Sequence, residues 1–340
     1  MEYALIGNTG LRVSRLAIGT AVFGIAPPED GCDALVGAAL DAGINLFDCA
    51  NTYGNRAAFD RPGSPASVER AHAEELLGRA LKGRRDDVVL CTKVSEPVGA
   101  GPNDGGISIA GLGDKGGGLS RYHIMREVER SLRRLGTDHI DVYYFHHPDP
   151  ETAIEESLRA ADDLVRHGKI RYVGLSTYAG WEMTEAVMTA ERHGLSRPIV
   201  NQVVYNLTNR WPEREVVPAA NHLGLGLTCF SPLAGGVLAG GAAIDRAHGG
   251  MRRWGLSYDY TDEQRHVASE LGELATEWGH APTGLALAWL LSRRPVAAAI
   301  VGPETPAELG ESLVALDLHL DADQLDRLDA IGRRPFDPPV

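Results

Sequence analysis

Short apolar runs alternate along this chain with longer segments whose apolar residues recur every three or four positions. Tyr3 to Val13, with Gly7-Asn8-Thr9-Gly10 between two short extended runs, predicts a β-hairpin. Leu16-Ala17-Ile18-Gly19 predicts the first strand of a larger sheet, followed by a helix over about 30–42 and a strand over 45–48. The alternation continues with helix 70–82, strand 88–93, helix 120–135, strand 139–146 and helix 152–167. Then come strand 171–176, helix 180–193, strand 199–204, helix 211–222 and strand 225–230, with a last strand at about 297–301 and a helix at about 306–316. Eight strands interleaved with helices predict an α/β fold with a parallel sheet, closed into a (β/α)8 TIM barrel behind an N-terminal β-hairpin. No linker and no repeat is evident, so residues 1–340 read as a single domain.

Capping signals support the helices. Thr152 before Glu155, Thr305 before Glu308 and Asp321 before Gln324 each set a cap residue three positions ahead of Glu or Gln. Ile154, Leu158, Ala161 and Val165 share one helix face, as packing on a barrel requires. Long loops at 55–69, 95–119 and 231–261 follow strands on the carboxyl face, where such loops shape binding sites. Gly111-x-Gly113-x-x-Gly116 matches a dinucleotide-binding fingerprint by letter. That pattern has meaning only between a strand and the start of a helix, and here more glycine follows it, so it is rejected.

Charge and cysteine content narrow the function classes. Acidic residues outnumber basic ones by 46 to 33, a net charge of −13, which repels phosphate backbones and argues against a nucleic-acid partner. An anionic cofactor must then be held by a local site working against the overall field. Cys32, Cys49, Cys91 and Cys229 lack disulfide-framework or zinc spacing and read as buried thiols in a reducing compartment. The start has neither the basic nor the apolar region of a signal peptide, and no apolar run has membrane-spanning length. These features predict a cytoplasmic protein.

The strand ends carry the chemistry. Asp48 closes Asn45-Leu46-Phe47, Tyr53 lies just beyond it, Lys93 closes Val88 to Thr92, and His146 closes Val142 to Phe145. Ser176, Gln202 and Phe230 close three more segments. The carboxyl ends of parallel strands meet at one face of a barrel, so these residues converge there. A tyrosine hydroxyl has a pKa of about 10 and gives up its proton poorly at neutral pH. A lysine ammonium beside it lowers that pKa, a buried lysine needs a carboxylate partner such as Asp48, and a histidine at the same rim aligns a carbonyl. Taken singly, Asp48 reads equally well as a loop cap and Tyr53 as a packed aromatic; Lys93 at the end of an apolar strand demands a reason. His146 and His147 are adjacent, predicting opposite directions and a structural role for one of them.

At this point the sequence resembles the aldo-keto reductase superfamily, over nearly the whole chain. The resemblance is carried by Gly43-Ile44-Asn45-Leu46-Phe47-Asp48-Cys49-Ala50-x-x-Tyr53-Gly54, by Thr92-Lys93, and by Asp141 to Pro150. Gly174-Leu175-Ser176, Asn201 to Leu207, and Phe230-Ser231-Pro232-Leu233-Ala234-x-Gly236-x-Leu238-x-Gly240 add to it. It implies Tyr53 as general acid, Lys93 and Asp48 as its tuning pair, and His146 as carbonyl orienter, chosen over His147 by its place before the x-Pro-Asp-Pro stretch. It also implies that Ser176 and Gln202 bind a nicotinamide carboxamide and that Phe230 stacks on the ring. Ser231, Leu233, Gly302, Glu304, Glu308 and Ser312 would line the rest of the cofactor, and no metal is implied. The short tail after Ile331 and the Tyr205-Asn206-Leu207 motif resemble the bacterial and potassium-channel β-subunit branch.

Two departures bear on the cofactor. Thr177 stands where many relatives carry Asn. In the stretch from Gly302 to Ser312, where relatives grip the 2′-phosphate of NADPH with basic residues, none occurs, and Glu304 and Glu308 are present instead. A 2′-phosphate carries about −1.5 to −2 charge. A carboxylate at about 5 Å in an effective dielectric of about 20 repels it by several kcal/mol before screening. Family habit implies NADP(H) and keeps it ahead, although these positions favour NAD(H). The reading is therefore an NAD(P)H-dependent reductase of aldehydes or ketones that, run in reverse by the same hydride transfer, oxidises the corresponding sugar-like alcohol. Its alternatives are a cofactor-sensing regulatory partner subunit and a barrel enzyme using Lys93 as a Schiff base. Phe23, Tyr53, Trp254 and Tyr258 are candidate pocket walls.

Overall fold

Inward and outward positions alternate along each barrel strand, and this alternation places the site. The computed structural model describes residues 1–55, 60, 63–96, 118–240 and 260–332. β1 (Tyr3–Leu5) and β2 (Arg12–Ser14) form the antiparallel hairpin. The barrel strands are β3 (Leu16–Gly19), β4 (Leu46–Asp48), β5 (Val89–Val94), β6 (Ile140–Phe145), β7 (Ile170–Ser176), β8 (Pro198–Val204), β9 (Gly226–Phe230) and β10 (Val296–Val301). They are joined in parallel, each to the next, and β10 returns to β3, closing the expected (β/α)8 TIM barrel. The hairpin lies at its amino end: Asn8 N–H donates to the Gly224 carbonyl, and the Arg15 guanidinium donates to the carbonyls of Leu291, Val296 and Ala297.

The bore is filled by one set of side chains, including Ala17, Leu46, Val89, Cys91, Val142, Tyr144, Val200, Ala298 and Ile300, with Ile6 and Val13 of the hairpin beneath. A larger apolar layer lies between the strands and the surrounding helices. Close packing in the bore explains Gly174: a Cβ there would fall 2.6 Å from the Tyr144 ring. Continuing each inward set one step toward the carboxyl end gives Asp48 after Leu46, Lys93 after Cys91, Ser176 after Gly174 and Gln202 after Val200.

The helices are α1 (Glu29–Asp41), α2 (Ala73–Ala80), α3 (Arg121–Leu135), α4 (Ile154–Arg166), α5 (Gly180–His193) and α6 (Val216–Leu223). They continue with α7 (Asp262–Trp278), α8 (Pro282–Leu291), α9 (Pro306–Leu313) and α10 (Ala322–Gly332). α2 and α6 start later than predicted, because Arg70 and His72 are extended ahead of α2 and a 3₁₀ turn at Trp211–Glu213 precedes α6. α4 starts at Ile154 with Ala153 at its cap and no side-chain capping bond, so the predicted Thr152 cap is not formed. The Thr305 and Asp321 caps are formed. α7 and α8 were not predicted. α8 is buried on every side, so it has no amphipathic period to read.

Among the described residues no helix is long and apolar enough to cross a membrane. The glycine pattern at 111–116 and the candidate walls Trp254 and Tyr258 lie outside the described residues.

Candidate active site

Lys93 is the centre of the site. It is fully buried in β5, and its ammonium has three hydrogens to place. They go to Asp48 Oδ2 at 2.6 Å, to the Cys49 carbonyl at 2.8 Å and to the Tyr53 hydroxyl oxygen at 3.2 Å. Because that oxygen accepts from Lys93, the Tyr53 hydroxyl's own proton is directed away from Lys93. The second Asp48 oxygen accepts from the Gln202 amide at 2.8 Å, across the bore from β8 to β4. Gln202 thus completes Asp48, a contact the sequence did not reveal; the carboxamide role implied for it now competes with this bond.

Two shifts follow from the geometry. Burial alone would lower the Lys93 pKa, but Asp48 and Tyr53 outweigh it and hold the pKa above the ordinary lysine value, so the ammonium stays charged. Burial raises the Tyr53 hydroxyl well above its ordinary value, Lys93 opposes this, and Asp48 adds to it. Burial thus outweighs the cation: Lys93 lowers the Tyr53 pKa as expected, but the net shift is upward. At neutral pH Tyr53 is a protonated donor rather than a base.

His146 lies one residue past β6, with its ring edge-on to Tyr53 at 5.8 Å between centroids. The predicted divergence of His146 and His147 is wrong. Their rings stack at 4.6 Å with 11° between planes, because the chain has left the strand and its alternation ends. Both reach Glu96, which sequence reading missed: Oε2 is 2.7 Å from His146 Nδ1, and Oε1 is 3.3 Å from His147 Nε2. Its only sequence signal was a carboxylate three places past Lys93 on the same rim. Burial lowers the His146 pKa to about 4 against the pull of Glu96, leaving the ring neutral at pH 7. Burial would raise Glu96, but the two histidines outweigh it and keep it a carboxylate.

These three side chains bring donor atoms within 4.8 Å of one another. An ion bound by two imidazoles must lie in the plane of each ring. Two stacked rings 11° from parallel have no such common point nearby, so the cluster is better suited to sharing protons.

The remaining candidates lie on the same face. Ser176 ends β7, and the half-buried Phe230 ends β9. Beyond Phe230 the main chain turns left-handed at Ser231, Ala234, Gly235 and Gly236, around Leu233. Such a turn clusters N–H groups in a way that suits an anion. Gly302 and Glu304 follow β10, and Glu308 and the buried Ser312 lie on α9. Glu308 folds back, its carboxylate accepting from the Glu304 N–H at 3.0 Å, and Ser312 Oγ donates to the Glu308 carbonyl. Thr177 has φ = 61°, a left-handed conformation that strains a β-branched residue and suits Asn.

The sequence profile of the Aldo/keto reductase family matches residues 15–333. An uncharacterized oxidoreductase of Bacillus subtilis (strain 168), YrpG, is 39% identical over 98% of this chain and 97% of its own. A probable voltage-gated potassium channel subunit beta of Oryza sativa subsp. japonica is 36% identical over 97% of this chain and 96% of its own. The L-glyceraldehyde 3-phosphate reductase of Escherichia coli (strain K12) is 31% identical over 97% of this chain and 92% of its own. With a profile matched almost from end to end and relatives aligned over nearly their full length, the chain belongs to the aldo/keto reductase family of oxidoreductases.

Proposed function

We propose that the protein is an NAD(P)H-dependent reductase of aldehydes or ketones in which Tyr53 is the general acid. The observation that carries this reading is the Lys93 ammonium held between Asp48 and the Tyr53 hydroxyl, at 2.6 and 3.2 Å. A nicotinamide cofactor, held by Ser176 and Phe230, would supply a hydride to the carbonyl carbon. Tyr53 gives its proton to the carbonyl oxygen, and Lys93 stabilises the tyrosinate left behind. Asp48 keeps Lys93 charged, Gln202 holds Asp48, and His146 positions the substrate. Run in reverse, the same groups oxidise a sugar-like alcohol.

The cofactor fits two features of the carboxyl face. The left-handed turn from Ser231 to Gly236 follows β9 and suits the pyrophosphate. Thr305 opens α9 just after β10, and the loops after the last two strands are where barrels commonly hold phosphate groups. Ser176 and Phe230 lie where the nicotinamide would reach the bore. Family habit implies NADP(H), whereas Glu304 and Glu308 at the adenosine end favour NAD(H). Replacing Glu304 by arginine is expected to shift the ratio of dissociation constants toward NADPH; an unchanged ratio would place the adenosine end elsewhere.

The resemblance to a potassium channel β subunit supports a second reading, a cofactor-sensing partner subunit with weak turnover. Dissociation constants for NADPH and NADH, measured by fluorescence quenching together with turnover of a simple aldehyde, separate the two. Tight binding with robust turnover is the expected result. Binding without turnover favours the partner subunit, and no binding below about millimolar sinks both. The Schiff-base reading is disfavoured because a charged Lys93 is not a nucleophile.

A further inference from the structure

At the amino end of the barrel, opposite the Lys93 cluster, a cavity of about 580 Å³ opens between the hairpin, the end of α6 and the segment joining α8 to β10. Small-molecule sites span about 300–1,000 Å³, so it is large enough for one. Arg15, Arg293 and Arg294 line it with Asn8, Asn221 and Ser292, and among the described residues of its wall there is no Asp or Glu. Acidic residues outnumber basic ones by 46 to 33 in the chain, so a wall charged only by cations runs against the overall field. Part of that charge has a structural use. α6 and α8 both end here, and helix ends present carbonyls with partial negative charge. Arg15 donates to the carbonyls of Leu291, Val296 and Ala297, and Arg197 to that of Leu223. Arg293 donates to Asp329 Oδ1 at 2.7 Å and lies over the Trp289 ring.

These duties leave donors over. The exposed Arg294 guanidinium has no hydrogen-bond or ion-pair partner among the described residues. The Nε–H of Arg293 is buried, and no acceptor meets it among the described residues. Burial disfavours the charge on Arg15, and the exposed Glu2, outside the cavity wall, is the acid that opposes this. We propose that the cavity is a second binding site, taking a small molecule that carries a phosphate group, with Arg294 and Arg293 as its principal holders. A guanidinium offers a planar fork that matches two phosphate oxygens. The three arginines less the Asp329 carboxylate leave two positive charges, against about −1.5 to −2 on a phosphate monoester. Arg15 contributes charge, and the Asn8 and Asn221 amides supply donors for the rest of the molecule. The site lies away from the carboxyl face and does not rest on the reductase reading.

Titration calorimetry of the full chain with inorganic pyrophosphate, free of divalent cations, tests this. Binding with a dissociation constant below about 1 mM is expected. Arg294→Gln should weaken it about tenfold or more, the worth of a hydrogen bond to a charged group. Because Arg294 is exposed and unpaired, the melting temperature of that variant without pyrophosphate should match the parent protein's. Asn221→Asp sets a carboxylate of nearly the same shape in the wall and should weaken binding likewise. An unchanged affinity in either variant means that pyrophosphate sits elsewhere, the carboxyl face included, and overturns the proposal. So does an absence of binding at millimolar pyrophosphate. Citrate, an organic polyanion without phosphorus, is expected to bind more weakly; equal affinity overturns the assignment to phosphate.

Discussion

Replacing Tyr53 by phenylalanine is expected to lower kcat by about 10²–10⁴-fold, the usual contribution of a positioned acid, while leaving cofactor dissociation constants unchanged. The change removes one oxygen. It keeps the ring that packs edge-on to His146 and faces Lys93, whose ammonium lies 4.7 Å from the ring centre. The protein should therefore stay folded, and the loss should fall on the chemical step. Single-turnover measurements with cofactor bound separate that step from binding. Comparable turnover in the variant would remove Tyr53 as the acid.

The second large effect is expected on stability. Asp48→Asn leaves the Lys93 ammonium, which is fully buried, without its counter-charge. Breaking a buried ion pair by removing one partner costs about 3–5 kcal/mol, because an uncompensated charge remains in the interior. Urea unfolding should show that loss, and turnover should fall with it, since Asp48 no longer holds the Lys93 ammonium against the Tyr53 hydroxyl. A loss under about 1 kcal/mol would mean that Lys93 sheds its proton or finds another partner.

The barrel was legible because its strands and amphipathic helices carry distinct periods. α4 shows this well: the face read from Ile154, Leu158, Ala161 and Val165 is the face that packs inward. α8 escaped because a helix buried all round has no polar face to set its phase. α7 was legible in principle, through the Thr261–Gln264 capping box, but its start fell at the end of the loop predicted over 231–261. That Asp48, Tyr53, Lys93 and His146 lie together was legible because strand ends converge on one face of a parallel barrel. What remained hidden depends on side-chain directions beyond the strands. The stacking of His146 on His147, the bridging Glu96 and the Gln202–Asp48 bond have no sequence period. The balance between burial and the Lys93 charge at Tyr53 likewise needs a depth that a sequence does not print.

Asp48 and Gln202 are 154 positions apart in the chain and are joined directly across the bore. That bond exists only once β8 has come round to stand opposite β4. Loop closure on this scale costs entropy that grows as about (3/2)RT ln n, and such distant contacts form late in folding. A nascent chain that has emerged only through β7 already holds Tyr53, Lys93 and His146, yet lacks the amide that secures the second oxygen of Asp48. The cluster around Lys93 is thus complete only once β8 stands opposite β4, and a half-made barrel carries the residues without their arrangement.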